Sequence, residues 1–155
     1  MKIERRFTVA ADRPLVWRLI RDPERMIACV PGCETIEAID ADTYKAAVVV
    51  TVGPIKPRFN LIVTILEEQP PDLIRTESKG EEGSRASTVS SHNEVRLLDA
   101  EEGGIEIAYS ADVAISGRLA RYGQGMMKKI ADKLAGRFEE QFRALAESEA
   151  DAPVP

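Results

Sequence analysis

Histidine is almost absent from the sequence, which contains a single one, His92, among 155 residues. A serine, histidine and aspartate triad would have to use that residue, and one chain cannot build a zinc site from several histidines. The two cysteines, Cys29 and Cys33, have three residues between them, whereas a redox motif needs two and a structural zinc site needs four ligands. We therefore predict structural cysteines, an ordinary surface histidine, and no metal or other cofactor.

Long apolar runs are also lacking. No stretch of roughly 18 uncharged apolar residues occurs, and the first fourteen residues contain no apolar core of signal-peptide length. The sequence thus predicts a cytoplasmic protein whose membrane contact, if it has one, is peripheral. Acidic residues exceed basic ones, 26 to 21, and the formal charge of −5 argues against a nucleic-acid partner.

The order of hydrophobic patterns predicts a single α+β domain over residues 1–147, followed by a disordered acidic tail at 148–155. One strand at 2–10 precedes two short helices, of which the second covers 23–29 and ends before Pro31. A long helix from Gly117 to Ala146, with Ser116 as its N-cap, closes the domain. Strands that alternate with turn residues, and that we expect to form an antiparallel meander curled around this helix, are predicted near 34–39, 43–52, 56–68, 73–80, 86–98 and 104–116.

Polar residues interrupt the inner face of two of these strands. If Val89, Val95 and Leu97 face the core, alternation also turns Ser87, Ser91 and Asn93 inward, and Thr76 and Ser78 follow Ile74 in the same way. Buried polar groups need partners, so a wet or ligand-filled cavity would explain the pattern. The alternative is a β-bulge that turns these side chains to solvent.

The predicted long helix has two unusual features. Gly123 and Gly125 remove side chains inside it, which indicates either a ligand or a close approach of helix and sheet. Its first half also carries six basic residues against one acidic residue, Asp132. A basic patch of this kind could dock on anionic lipid or on an acidic partner, although a merely solvated face explains it equally well.

Five short motifs give the sequence a family likeness. They are Val16-Trp17, Asp22-Pro23-Glu24, Val30-Pro31-Gly32-Cys33-Glu34, Val52-Gly53-Pro54-Ile55 and the segment from Ser116 to Gly123. In this order and spacing they resemble the CoxG family of carbon monoxide dehydrogenase subunits, a branch of the START and Bet v 1 type domains. The resemblance runs from Ile3 to about Leu145 and implies a helix-grip fold, in which a curved sheet of about seven strands encloses an apolar cavity against a long C-terminal helix.

The resemblance also implies a function. Members of the family accompany molybdenum-containing carbon monoxide dehydrogenase and related hydroxylases, and are implicated in recruiting the enzyme to the membrane through a bound lipid or quinone. They are not thought to catalyse the oxidation themselves. We therefore expect a non-enzymatic adaptor with three partners: an apolar small molecule, a carbon monoxide dehydrogenase-type oxidoreductase and the inner face of the cell membrane.

On this interpretation two sets of residues carry the function. The expected ligand-cavity residues are Trp17, Phe59, Asn93, Tyr109, Leu119, Tyr122, Met126 and Met127. The expected residues for membrane or partner docking are Arg118, Arg121, Lys128 and Lys129. Two alternatives stay open, a polyketide cyclase-like enzyme on the same fold and an assembly factor without a ligand, and the oligomeric state, including a homodimer, is open as well.

Overall fold

The computed structural model describes residues 1–150, which form the predicted α+β fold. Seven antiparallel strands make one sheet in the order β1-β7-β6-β5-β4-β3-β2, and the first strand pairs with the last. The elements are β1 (Lys2–Val9), α1 (Arg13–Ile20), α2 (Pro23–Cys29), β2 (Cys33–Asp40), β3 (Thr43–Val49), β4 (Arg58–Gln69), β5 (Leu73–Glu82), β6 (Ser87–Asp99), β7 (Ile105–Gly117), a 3-10 helix (Arg118–Tyr122) and α3 (Gln124–Ala150).

An aspartate caps the start of each of the two short helices. The side chain of Asp12 accepts a hydrogen bond from the backbone N–H of Leu15 at 3.1 Å, and Asp22 caps α2 through the N–H of Glu24 at 3.0 Å. A proline occupies the first turn of each helix, where no hydrogen bond is lost. These caps satisfy backbone N–H groups that would otherwise lack a partner in the first turn of each helix.

The start of the long helix differs from the prediction. Strand β7 continues through Gly117, so Ser116 is a strand residue whose hydroxyl is hydrogen-bonded to Thr88, and not an N-cap. Gly117 and Gly123 have φ of 89° and 84°, a backbone conformation that side chains disfavour and that interrupts a helix on both sides of the 3-10 helix. Helix α3 therefore begins at Gln124 and extends through Ala150, into the predicted tail. Residues 151–155 of that tail lie outside the described residues.

Gly123 and Gly125 do not mark a close approach of helix and sheet. A Cβ at Gly123 or Gly125 would meet no heavy atom within 4 Å. Gly123 is explained by its positive φ, and nothing in the structure explains Gly125. The packing interpretation of the two glycines is therefore wrong.

Two separate clusters of buried side chains join α3 to the sheet. The larger one lies under the C-terminal half of α3, where the ring of Phe7 meets Tyr109, Phe138 and Phe142 edge to face at centroid distances of 6.1 to 6.3 Å. The smaller one contains Val52, Phe59, Leu119 and Met127, near the start of α3. Side chains of the sheet therefore pack against α3 toward both of its ends.

A candidate ligand-binding cavity

A cavity of about 580 Å³ lies between the inner face of the sheet, the turn after α2, and the middle of α3. Ligand sites in proteins commonly have volumes of roughly 300 to 1,000 Å³ and mostly apolar walls. We call this space the large chamber. Its walls are formed by Phe7, Ile20, Met26, Val30, Pro31, Val48, Thr76, Ser78, Asn93, Glu94, Val95, Ile107, Tyr109, Ser110, Ala111, Leu134, Ala135, Phe138 and Phe142.

A cluster of neutral polar side chains stands on the sheet side of the large chamber. The amide nitrogen of Asn93 donates to the hydroxyl oxygens of Thr76 and Ser78, at 3.2 and 3.3 Å. Strands β5 and β6 pair without interruption from Leu73 to Glu81, so no bulge turns these residues outward. The predicted inward orientation of Thr76, Ser78 and Asn93 is therefore confirmed. We call these three residues the polar cluster.

Two oppositely charged residues meet beside the same chamber. Arg5 lies directly opposite Tyr109 in the sheet, and both reach Glu139 on α3. The Nε of Arg5 donates to Glu139 at 2.5 Å, and the Tyr109 hydroxyl donates to the same carboxylate at 2.8 Å. Sequence reasoning missed Arg5 and Glu139, although alternation along β1 places Arg5 on the face of Ile3 and Phe7.

The surroundings of this trio fix its protonation. Glu139 is only 9% exposed. Burial by itself raises the pKa of this carboxyl, but the hydrogen bonds from Arg5 and Tyr109 outweigh it and leave the pKa below its ordinary value of 4.5. Burial and the bond to Glu139 raise the pKa of Tyr109. At neutral pH the carboxylate is thus ionised and paired, and the phenol keeps its proton.

A smaller chamber of about 210 Å³ adjoins the large one toward the start of α3. Val48 and Leu134 line both spaces. The remaining walls carry no charged side chain and come from Met1, Ile3, Val50, Val52, Phe59, Leu61, Val89, Val113, Ile115, Leu119, Met127, Ile130 and Ala131. The polar side chains thus line the large chamber alone, and the small chamber beside it is apolar.

The eight expected cavity residues are divided among three environments. Asn93 and Tyr109 line the large chamber. The residues that line the small chamber are Phe59, Leu119 and Met127.

The other three expected cavity residues line neither chamber. Trp17 packs against the larger core cluster from α1, and Tyr122 against the smaller one. Met126 is 36% exposed, whereas the next residue of α3, Met127, is buried. The role expected for these three residues in ligand binding therefore stays a prediction.

The four expected docking residues also differ among themselves. Arg118 binds Glu82 with two of its nitrogens, its Nε lying 3.0 Å from Oε2, and these bonds lower the pKa of a carboxyl that is only 2% exposed. Its charge is therefore compensated by an internal ion pair although 44% of its side chain is exposed, and the docking role expected for it stays a prediction. Arg121, Lys128 and Lys129 are exposed, and within residues 1–150 none of them forms an ion pair.

The cysteines and the histidine occupy unremarkable places. Cys29 is buried and Cys33 half-buried, both thiols are free, and burial raises the pKa of each. His92 is exposed on the outer face of β6. Across residues 1–150, no three histidine, cysteine or acidic side chains come together in a group that could hold a metal ion. In the same range, no helix is both long enough and apolar enough to cross a bilayer.

Comparisons with known proteins bear on this arrangement. The model of the CoxG family, described as a subunit of carbon monoxide dehydrogenase, matches residues 6–146. No curated protein matches the sequence.

Several solved structures share the fold. A conserved protein from Geobacillus kaustophilus superposes with a TM-score of 0.88 at 21% identity, covering 96% of this chain and 97% of the other. A START superfamily protein from Mycobacterium smegmatis gives 0.76 at 12% identity, with 96% and 98% covered. The Zhui aromatase/cyclase from Streptomyces sp. R1128 gives 0.73 at 15% identity, with 98% and 96% covered. The architecture is therefore the START-like helix-grip fold.

Proposed function

The chain belongs to the CoxG family of carbon monoxide dehydrogenase subunits, and on that premise we propose that it is a non-enzymatic adaptor that binds an apolar ligand. The ligand, a lipid or a quinone, occupies the two chambers. While carrying it, the protein links a carbon monoxide dehydrogenase-type oxidoreductase to the membrane surface.

The large chamber is the observation that carries this proposal. A volume of about 580 Å³ with largely apolar walls suits a small apolar molecule. An assembly factor without a ligand would be expected to fill the space between sheet and helix with side chains, since protein interiors are close-packed. The unfilled middle of the fold therefore supports a ligand-binding function over a purely structural one.

Exposed cations on α3 support the docking part of the proposal. Lys129, Lys133 and Arg137 follow one another at intervals of four residues and so lie along one side of the helix. All three are exposed and unpaired within residues 1–150. We call them the cationic stripe. Leu134 and Ala135, between two of them in sequence, line the large chamber. An anionic membrane surface that binds the stripe would therefore lie close to the ligand.

A cyclase-like enzyme is the second candidate, and the pair of Tyr109 and Glu139 beside the chamber favours it. The Zhui aromatase/cyclase shares the fold. A general acid or base works best when its pKa lies near the operating pH. Here the pKa of Glu139 is lowered and that of Tyr109 raised, so both move away from neutrality. The protonation of the pair thus supports binding more than catalysis.

Native mass spectrometry of protein purified from its own host tests the binding function. We expect an additional mass that is lost when Ala111, on the wall of the large chamber, is replaced by phenylalanine. The matched control is Ala114→Phe on the same strand, where the residue is exposed. Both variants should keep their melting temperature within a few degrees. If Ala111→Phe carries the same ligand as the unaltered protein, the large chamber is not the binding site.

A further inference from the structure

We infer that the large chamber selects an uncharged amphiphile, whose polar group binds Thr76, Ser78 and Asn93 and whose apolar part extends toward the small chamber. This inference rests on the proposed function, because it narrows the chemical class of the ligand bound at the same site. It excludes fatty-acid and phospholipid anions from the lipids that the apolar walls alone would admit.

The charges around the chamber carry the first step. Glu94 is the one formally charged residue on its wall, and its carboxylate binds Arg75 at 3.0 Å and Arg96 at 2.5 Å. Arg5 and Glu139 neutralise each other beside Tyr109. A carboxylate or phosphate inside the chamber would therefore lose its hydration without gaining a free cation. Burying an unpaired charge is far more costly than burying a neutral polar group.

The hydrogen-bonding capacity of the polar cluster carries the second step. The amide nitrogen of Asn93 is directed at the two hydroxyl oxygens, so its carbonyl oxygen can accept a hydrogen bond from a ligand. Because the oxygens of Thr76 and Ser78 accept from Asn93, their own hydrogens are available for donation. The cluster therefore offers donors and an acceptor close together. A hydroxyl or carbonyl group satisfies such a set without carrying a charge.

Tyr109 further limits which hydrogen-bonding groups a ligand can present to the large chamber. Its only proton is donated to Glu139 at 2.8 Å, so toward the chamber the phenol oxygen can act as an acceptor alone. The small chamber has no charged side chain on its wall. It adjoins the large chamber, since Val48 and Leu134 line both. A ligand with its polar group at the polar cluster thus has apolar space available on the side of the start of α3.

A displacement assay with simple probes tests the selectivity. The protein is loaded with N-phenyl-1-naphthylamine, an uncharged fluorophore, and titrated at neutral pH with decan-1-ol or with decanoate. The two competitors share a chain of ten carbons and differ in the charge of the head. We expect the alcohol to displace the fluorophore at a concentration at least about tenfold lower than decanoate. Equal potency of the two competitors would overturn the inference.

Variants locate the polar group. Asn93→Leu preserves the size of the side chain. It should lower the affinity for decan-1-ol by about tenfold, with little change in the affinity for the fluorophore. Asn60→Leu makes the same change at an exposed position of β4 and should alter neither. The double variant Thr76→Val, Ser78→Ala removes the hydroxyls instead and should also lower the affinity for decan-1-ol. It keeps the test valid even if Asn93→Leu folds poorly.

The outcomes separate this inference from the proposed function. If the fluorophore binds and the alcohol displaces it equally well from both cluster variants, the polar cluster is not the head-group site and the inference alone fails. If neither the fluorophore nor either competitor binds to the unaltered protein, the proposed ligand-binding function fails together with it.

Discussion

Arg5 and Glu139 form an ion pair that connects β1 to α3. Both side chains lie on the inner side of the sheet. Each remains charged there because the Nε of Arg5 lies 2.5 Å from a carboxylate oxygen of Glu139. Replacing one partner of a buried ion pair leaves the other without compensation, which costs several kcal/mol when burial is complete. The side chain of Arg5 is 29% exposed, so water compensates part of that cost.

We predict that Arg5→Met lowers the free energy of unfolding by about 2 kcal/mol at neutral pH, because it leaves the Glu139 carboxylate buried without its cation. The control is Arg6→Met, on the outer face of the same strand, where a 69% exposed side chain lies 3.6 Å from Glu106. That change should cost less than about 0.5 kcal/mol. Urea denaturation of both variants measures the difference.

The pH dependence of these stabilities gives a second readout. In the unaltered protein the pKa of Glu139 is lowered, so its stabilising contribution is present above the unfolded pKa and is lost as pH falls through the folded one. In Arg5→Met burial dominates and raises that pKa, so acid should instead stabilise the variant by protonating Glu139. The deficit should therefore shrink toward pH 5. A deficit that stays constant with pH would mean that Arg5 acts through packing alone.

At the scale of elements, α3 has two dissimilar halves. In its C-terminal half Phe142 and Ala146 are buried, Glu147 accepts from the backbone N–H of Ala10 at 2.9 Å, and Arg143 donates to the carbonyl of Thr8 at the same distance. In the first half Met127 is the one side chain that is fully buried. The C-terminal half of the helix is therefore attached to the domain by more buried side chains and hydrogen bonds than the first half.

We predict that backbone amides over residues 128–134 exchange with deuterium at least about tenfold faster than those over 139–146. Segments with few buried contacts open locally at lower free energy than segments in the core. The two halves belong to one helix and so serve as controls for each other in the same mass-spectrometric experiment. Equal protection of both would show that α3 opens only as a unit.

The elements differ in how far the sequence could specify them. Strands β5, β6 and β7 begin and end within two residues of their predicted bounds, because turn residues such as Gly83 and Gly103 mark their limits. The predicted start of α3 was wrong because apolar spacing continues across Gly117 and Gly123, whose positive φ values no periodicity reveals. The polar cluster followed from alternation, whereas Glu139 belongs to a contact between β1 and α3, distant in sequence, that no local pattern encodes.

The whole molecule is acidic, yet its cationic stripe lies beside the cavity. Each basic residue near an anionic membrane contributes about 1 kcal/mol to binding. We predict that Lys129→Glu with Lys133→Glu weakens association with phosphatidylglycerol vesicles at least about tenfold, and that the loss diminishes as salt screens the charges. Co-sedimentation with vesicles measures the association.

The control for this experiment makes the same change of net charge elsewhere. Lys45 and Lys79 are exposed and lie on the outer face of the sheet, in β3 and β5, on either side of Ile62 of β4. Their replacement by glutamate should reduce vesicle binding only slightly. Equal losses in the two double variants would show that overall charge, and not the position of the stripe, governs attraction to the surface.

The junction of the two chambers affects how fast a ligand exchanges rather than how tightly it binds. Val48 and Leu134 line both chambers, so a ligand that extends from one chamber into the other lies against these two side chains. A narrower junction raises the barrier for both directions alike, and the rate falls about tenfold for each 1.4 kcal/mol. For the ligand-binding function proposed above, we therefore expect bulkier side chains at Val48 and Leu134 to lengthen the residence time of a ligand that occupies both chambers.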